Sequence, residues 1–359
     1  MHISAARGAI LEELVLYLLT KVGYRTIQAD IAEGTRDGHS GLEVKGRGAW
    51  HQVDALAAFD RTPAFMYPLR VMVEAKCYSV GNTVGIEVVR NAVGVLKDIS
   101  ENYFIFRSPK TNETEVHVPR FNYHAAIFST SGYSSAAQRY AIAHQVFLIQ
   151  YSRIPVLDPV IEGLQSLDET HIADPVSVPR KKTITALLRG EIFQMLGSAD
   201  CITASPFSVL TPAGRRHVRD RIISPLSSIK GSYFGMLQGK WPMHLLSHNP
   251  LPPAVFARSD EVLCKIYGRD SDRWSFVPVA SRDGDDNWFR LEFDIPEEVL
   301  ALVEATGRDR VALAQVKQEQ FSTLDVAGQI GGIYRQVRLR LDEEWLETYL
   351  ARIRTKSII

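Results

Sequence analysis

Residues 46–78 read GRGAWHQVDALAAFDRTPAFMYPLRVMVEAKCY, and the second half of that stretch decides the fold. Val71-Met72-Val73-Glu74-Ala75-Lys76 is a short apolar run that closes on two charges of opposite sign. Strand alternation sets Val71, Val73 and Ala75 on one face and Met72, Glu74 and Lys76 on the other. Burying such charges is costly unless they are paired or bound to a cation. Upstream, residues 50–57 read as a second strand, with Asp54 near its middle and Gln52 on the same face. Nineteen residues lie between Asp54 and Glu74, enough to finish a strand, turn and return antiparallel. That return brings Asp54 beside Glu74 and Lys76. Two carboxylates make an oxygen-rich site for a hard cation, Mg²⁺ or Mn²⁺. Such an ion lowers the pKa of a bound water and neutralises phosphodiester charge, while Lys76 orients or activates that water.

The chain of 359 residues has room for two domains with apolar cores. Lys+Arg and Asp+Glu both number 41, so net charge gives no support for a nucleic-acid partner, and any basic surface must be local. Three cysteines (Cys77, Cys201 and Cys264) stand far apart with no metal-binding spacing, which points to a reducing interior. The N-terminal apolar stretch is interrupted by Glu12 and Glu13, and no run approaches a membrane span. The expectation is a cytoplasmic protein without a membrane partner.

Residues 9–22 read as a helix with Ile10, Leu11, Leu14, Val15, Leu18 and Leu19 forming its apolar stripe, capped by Ser4 and stopped by Gly23. Glu12 and Glu13 either sit at the solvated margin of that stripe or reach a metal from the helix. Residues 25–32 read as a strand, and 33–48 as a charged, glycine-rich loop with a short strand at Leu42-Glu43-Val44. Lys45 and Arg47 there suit phosphate contact or a solvated turn. Gln52 is placed to touch a metal-bound water or a nucleic-acid backbone, and His51 points away as a structural residue. Residues 84–99 read as a helix and 123–130 as a central strand. Ser131-Gly132-Tyr133-Ser134 is read as a turn and cap, followed by a helix at 135–144 and a strand at 146–150. Residues 101–121 read as an inserted loop or hairpin, with Arg107, Lys110 and Arg120 as candidate DNA contacts.

Asp54 with Glu74-Ala75-Lys76 at the end of an apolar strand resembles the core of the PD-(D/E)XK restriction-endonuclease-like superfamily. Flanking motifs sharpen the likeness to its Mrr-like, type IV restriction members. Gly8 through Val15, then Gly23-Tyr24, is similar to their first helix, whose glutamate maps onto Glu12, with Leu11 in place of an aromatic and Glu13 in reserve. Val88-Val89-Arg90 with Gly94 and Leu96 resembles the helix after their motif strand. Ile127 through Ser134, with Ala136, Ala137 and Ala141 and then Phe147-Leu148-Ile149, resembles their closing strand, turn, helix and strand. One departure is Glu74, where Mrr proteins often carry glutamine; a second carboxylate favours metal binding.

The resemblance implies an α/β fold: a restriction-endonuclease-like core of a central mixed sheet flanked by helices over residues 1–160. A linker at 161–182 and a smaller α+β accessory domain at 183–359 are expected to follow. It implies a Mg²⁺-dependent endonuclease for DNA, used in prokaryotic restriction or anti-phage defence. Asp54, Glu74 and Glu12 would hold the metal, and Lys76 would position the water. A homo-oligomer is implied, since one such site cuts one strand, and a DNA-translocating ATPase is a candidate partner because no phosphate-binding motor motif occurs here. Rival readings are a binding or assembly subunit idle until activated, an RNA-cutting nuclease, and a regulator built on a worn-out nuclease core.

The second half carries fewer signals. Residues 183–196 read as a helix, and 208–230 hold Arg215, Arg216, Arg219 and Arg221, the densest basic segment, read as a phosphate grip or a solvated helix face. Strands are expected near 233–238, 243–247, 261–267, 274–280, 287–293 and 311–317, and helices after Pro296 and over 342–354. His244 and His248 are four apart but lie in a strand-and-loop context, so they are read as unrelated histidines.

Overall fold

Helix α1 (Ile3–Val22) begins earlier than its apolar stripe suggests, because the backbone carbonyl of His2 accepts from Ala5 N and Ala6 N. Ser4 therefore lies inside the helix and does not cap it. Gly23 ends it at a φ of 114°, a conformation open to glycine. Residues 9–16 are buried all round, so α1 is a core helix with no wet face there. Glu12 and Glu13 are buried with it, against the reading that places them at a solvated margin.

The computed structural model describes all residues except 39–40, 60, 80, 103–104, 108–114, 118, 174–183, 198–207, 269–272, 308 and 357–359. The described chain divides into two units. The first comprises Met1–Thr20, Tyr24–Leu148 and Pro159–Leu226; the second comprises Lys21–Gly23, Ile149–Asp158 and Ser227–Ile359. The helices between 184 and 226 thus group with the first unit, whereas the sequence reading starts the accessory domain at 183.

The first unit is mixed α/β. Its strands are β1 (Arg25–Thr26), β2 (Thr35–Asp37), β3 (Leu42–Lys45), β4 (Trp50–Gln52), β5 (Ala55–Phe59) and β6 (Leu69–Lys76). Then come helix α2 (Ile86–Ser100), strands β7 (Ile105–Arg107), β8 (Glu115–His117) and β9 (Asn122–Ser129), helix α3 (Ser135–Ala143) and strand β10 (Val146–Gln150). A five-stranded sheet of order β1-β5-β6-β9-β10 is the centre, antiparallel at β5/β6 and parallel at β6/β9. Leu56, Ala58, Met72, Ala125 and Ile127 share one core with Val89 and Ala92 of α2 and Ala137 and Ala141 of α3. The alternate residues Ala55, Ala57, Val71 and Val73 are buried as well, which explains the near-continuous apolar reading of these strands. Ser134 Oγ accepts from Ala137 N at 3.2 Å and caps α3, as its sequence context suggests.

Two expected strands are shorter than read. Of residues 25–32 only Arg25–Thr26 is extended; Asp30 then caps a single tight turn that ends at Gly34, φ 77°. Residues 50–57 do not form one strand. Strand β4 pairs with β3, opposing Gln52 to Glu43, and β2-β3-β4 is a separate small sheet. The break falls at Val53–Asp54. Val53 and Leu56 belong to the same apolar cluster, yet three residues apart they would face opposite ways in a regular strand. Burying both forces the alternation to fail between them.

Helices α4 (Asp158–Gln165), α5 (Ile184–Gly197), α6 (Pro212–Val218) and α7 (Ser224–Ser228) follow, with a wider turn at Arg219–Ile223 between the last two. In α5, Leu188 and Ile192 are fully buried, and Glu191 accepts from Ser208 Oγ at 2.6 Å and Val209 N at 3.0 Å.

The second unit is built on a closed seven-stranded barrel, of order β11-β12-β15-β14-β13-β17-β16. Its strands are β11 (Gly231–Leu237), β12 (Trp241–Ser247), β13 (Glu261–Tyr267), β14 (Trp274–Pro278), β15 (Leu291–Phe293), β16 (Thr323–Ile330) and β17 (Ile333–Leu341). Helices α8 (Glu297–Ala305), α9 (Arg310–Phe321) and α10 (Glu343–Lys356) complete it. Trp274, Phe276, Phe293 and Phe321 stack in its core, with Trp274 and Phe321 centroids 5.4 Å apart. Residues 311–317, expected as a strand, lie in α9: Asp309 caps it by accepting from Val311 N at 2.8 Å, and Leu313, Ala314, Lys317 and Phe321 are buried at helical spacing. His244 is buried between Tyr151 OH (2.9 Å) and Ser232 Oγ (2.8 Å), and burial pushes its pKa down to about 3. It is a neutral core histidine, and His248 is exposed.

Strands β11 and β16 meet where Gly235 and Gly328 remove side chains. A Cβ at Gly328 would lie 2.6 Å from the Tyr233 ring and 2.8 Å from the Ser232 carbonyl. Gly328→Ala is therefore expected to destabilise the barrel by about 1–3 kcal/mol, read as a lower urea midpoint; an unchanged midpoint would show that the seam has slack.

Candidate functional site

The β5/β6 register pairs Ala55 with Val73, so one further step sets Asp54 opposite Glu74. Asp54 stands outside the ladder, and its carboxylate accepts from Ala75 N–H, continuing the ladder with a side chain. Glu74 and Lys76 share a face of β6, and the Lys76 ammonium is ion-paired to the Glu74 carboxylate. Both side chains are half-buried. The sequence-predicted trio of Asp54, Glu74 and Lys76 is therefore assembled at one end of the central sheet.

Two further carboxylates and an unforeseen arginine complete the cluster. Glu12 and Glu13 come from the buried middle of α1, and Arg189 comes from α5. Arg189 Nε donates to Glu13 Oε1 at 2.6 Å, its Nη1 lies 3.2 Å from Glu12 Oε2, and Nη1 also donates to the Asp54 backbone carbonyl. That carbonyl is available because the strand is broken there. Glu12, Glu13, Gln52, Asp54, Arg189 and Phe193 line an open cleft of about 770 Å³. The helix carrying Arg189 is legible in the sequence, but its partners lie 176 and 135 residues away and leave no local pattern.

Burial first, and crowding second, set the electrostatics. Burial, then the neighbouring Asp54 charge, pushes the Glu12 carboxyl up to about 8, although Arg189 pulls the other way. Burial and Glu74 push Asp54 up to about 6, against Lys76, Arg189 and the Ala75 N–H. Glu13 is raised by burial, opposed by Arg189. For Lys76, burial opposes the charge, but Glu74 and Asp54 outweigh it and the pKa rises. Lys76 is thus an ammonium at neutral pH, a donor and not a base. Among the described residues, no group of three or more His, Cys, Asp or Glu is close enough to hold a metal ion as arranged.

The remaining sequence candidates are scattered. Gln52 is exposed and lines the cleft, but from β4 of the small sheet and not from the Asp54 strand. His51 Nε2 lies 2.6 Å from Asp98 Oδ2 and ties β4 to α2, as its structural reading holds. Lys45 lies over the Trp50 ring, and Arg47 is paired with Glu101 at 3.2 Å. Arg215 lies 3.3 Å from Glu191, Arg219 lies 3.2 Å from Asp220, and Arg216 is exposed. None of these basic residues lines the cleft. Arg120 and Lys45 line a separate cavity of about 140 Å³. Lys110 and Cys201 lie outside the described residues.

No family model and no curated protein matches the chain. One solved structure, titled "Crystal Structure of Protein of Unknown Function AF1548", is 15% identical and covers 61% of this chain and 96% of its own, with a TM-score of 0.31. That likeness is too slight to carry the fold. No helix among the described residues is long and apolar enough to cross a membrane.

Asp54 holds its proton more tightly folded than unfolded, so its ionisation withdraws stability as pH rises from the ordinary carboxylate range through about 6. Asp54→Asn keeps an acceptor for Ala75 N–H and removes that charge. The variant is expected to melt at a higher temperature than the parent near pH 8 in EDTA, by on the order of 1 kcal/mol, and to match it near pH 3. Equal melting at both pH values would show that the carboxylates are not in conflict.

Proposed function

We propose that the chain is a metal-dependent nuclease hydrolysing phosphodiester bonds in DNA, with a restriction-endonuclease-like core in its first unit. One observation carries this reading: Asp54, Glu74 and Lys76 meet at the end of the central sheet with Glu12 brought beside them by α1. The donor chemistry fits a hard divalent cation. Four carboxylates (Glu12, Glu13, Asp54, Glu74) face two side-chain cations (Lys76, Arg189), leaving two negative charges when all are ionised. Burial first, and the neighbouring carboxylates second, push Glu12 and Asp54 upward, so a divalent ion there would offset a charge that the fold itself disfavours. Asp54, Glu74 and Glu12 would hold the ion, which supplies Lewis acidity when bound.

The chain's own residues then orient the reaction. The attacking water oxygen forms a bond to phosphorus, the bond from phosphorus to the leaving sugar oxygen breaks, and a proton passes from water to solvent as one returns to the leaving oxygen. Lys76, held by Glu74, donates to the water or to a phosphate oxygen and fixes its approach; as an ammonium it does not take the proton. The engagement of Glu12 by Arg189 favours a second reading, a nuclease idle until a partner or nucleotide signal releases it. Restriction or anti-phage defence, a second copy and a DNA-translocating ATPase as partners rest on the sequence resemblance alone.

Plasmid DNA with Mg²⁺ or Mn²⁺ is expected to be nicked or cut, EDTA to stop it, and Lys76→Ala to slow it on the order of a hundredfold. Matched RNA cut faster than DNA would replace the substrate, and cutting that survives both EDTA and Lys76→Ala would remove the assignment. Metal uptake must also displace protons. Mn²⁺ affinity is therefore expected to rise from about pH 6 to about pH 8.5, with proton release in calorimetry across buffers of different ionisation enthalpy. A pH-independent affinity would place the ion elsewhere.

A further inference from the structure

Arg189 is the one participant in the carboxylate cluster that no sequence motif indicates. Its guanidinium touches both helix glutamates and the Asp54 carbonyl, and so joins α1 to the bend between β4 and β5. The helix behind it is firmly seated: Leu188 and Ile192 are fully buried on either side, and Glu191 is fastened to Ser208 Oγ and Val209 N. A planar cation suits this bridging, since the guanidinium spreads fixed donors over three nitrogens, whereas the three donors of an ammonium all radiate from one. The position also matters. Arg189 sits on Glu12, a carboxylate that the nuclease reading needs for a divalent ion.

We infer that Arg189 is a further positioning residue of the cleavage site: a tethered counter-ion that fixes the Asp54 bend and competes with the divalent cation for the helix carboxylates. This rests on the nuclease reading above. The cation arrives against a resident positive charge, so its affinity is set partly by how readily the guanidinium yields Glu12. A guanidinium displaced from Glu12 keeps Glu13 and the Asp54 carbonyl within reach, so α5 need not detach.

Two measurements test this without relying on cleavage. In Mn²⁺ titrations, Arg189→Gln is expected to bind about tenfold tighter than the parent, because the competing charge is gone, while Arg189→Lys stays near the parent. A merely structural arginine would give weaker binding or none in both variants, with lowered melting temperatures. Unchanged or weaker Mn²⁺ binding by folded Arg189→Gln overturns the inference, as does equal tightening in Arg189→Lys. Should Arg189→Gln fail to fold, the parent still reports. Its Arg189 Nε–H resonance, assigned by its loss in Arg189→Lys, is expected to shift on Mg²⁺ saturation, and an unmoved resonance overturns the inference. If the parent binds Mn²⁺ and Asp54→Ala abolishes it while Arg189→Gln changes nothing, this inference alone falls. If neither parent nor variant binds the ion, the nuclease reading falls with it.

Discussion

Four carboxylates drawn into one half-buried place repel one another and lose their hydration, and the first unit is built around meeting that cost. Lys76 answers it from within the same strand, one alternation beyond Glu74. Arg189 answers it from a helix far along the chain, against Glu12 and Glu13. What the cations leave unmet shows as carboxyl groups that hold their protons more tightly, Glu12 up to about 8 and Asp54 up to about 6, with burial the larger cause in each. A buried charge left without a partner typically costs several kcal/mol, so Lys76 and Arg189 are the members whose loss the cluster would feel most. Clusters with carboxyl groups pushed this far from their ordinary range are found at functional sites more often than in purely structural ones.

The sequence made the central sheet legible because β5 and most of β6 are buried on both faces and so read as apolar runs, and because the closing turn of β9 into α3 carries a serine cap. Strand β6 could be placed to within a few residues for the same reason, and its final alternation fixed Glu74 and Lys76 on one face. The break at Val53–Asp54 was not legible. It arises from the burial of Val53 and Leu56 in the same cluster, a tertiary demand that overrides local periodicity. Arg189 escaped for a related reason: a lone arginine on a helix reads as solvated until its partners are known.

In the second unit, aromatic and turn-rich composition pointed to strands, and most of those expected are present within a few residues. The last hairpin was missed although it carries a readable signal. Gly331 and Gly332, at φ 62° and 79°, make the tight turn between β16 and β17, and Val337, Leu339 and Leu341 alternate with exposed arginines. Closure of the barrel could not be read at all. It depends on β13 lying parallel to β17, a pairing between segments far apart in the chain. The barrel core is a stack of large aromatics and the segment at 149–158 is fastened to it by Arg153, which donates to Asp294 at 2.6 Å and Glu297 at 2.8 Å.

The seating of Arg189 has a consequence for cutting the chain down. A fragment ended at residue 160, where composition alone invites the cut, would keep every residue of the D…ExK pattern and lose the guanidinium that offsets Glu12 and Glu13. Minimal versions of this domain therefore need to run through α5 and its anchor at Ser208–Val209. Grafting Glu12, Asp54 and Glu74 onto another scaffold would likewise transplant the repulsion and leave Arg189, its remedy, behind.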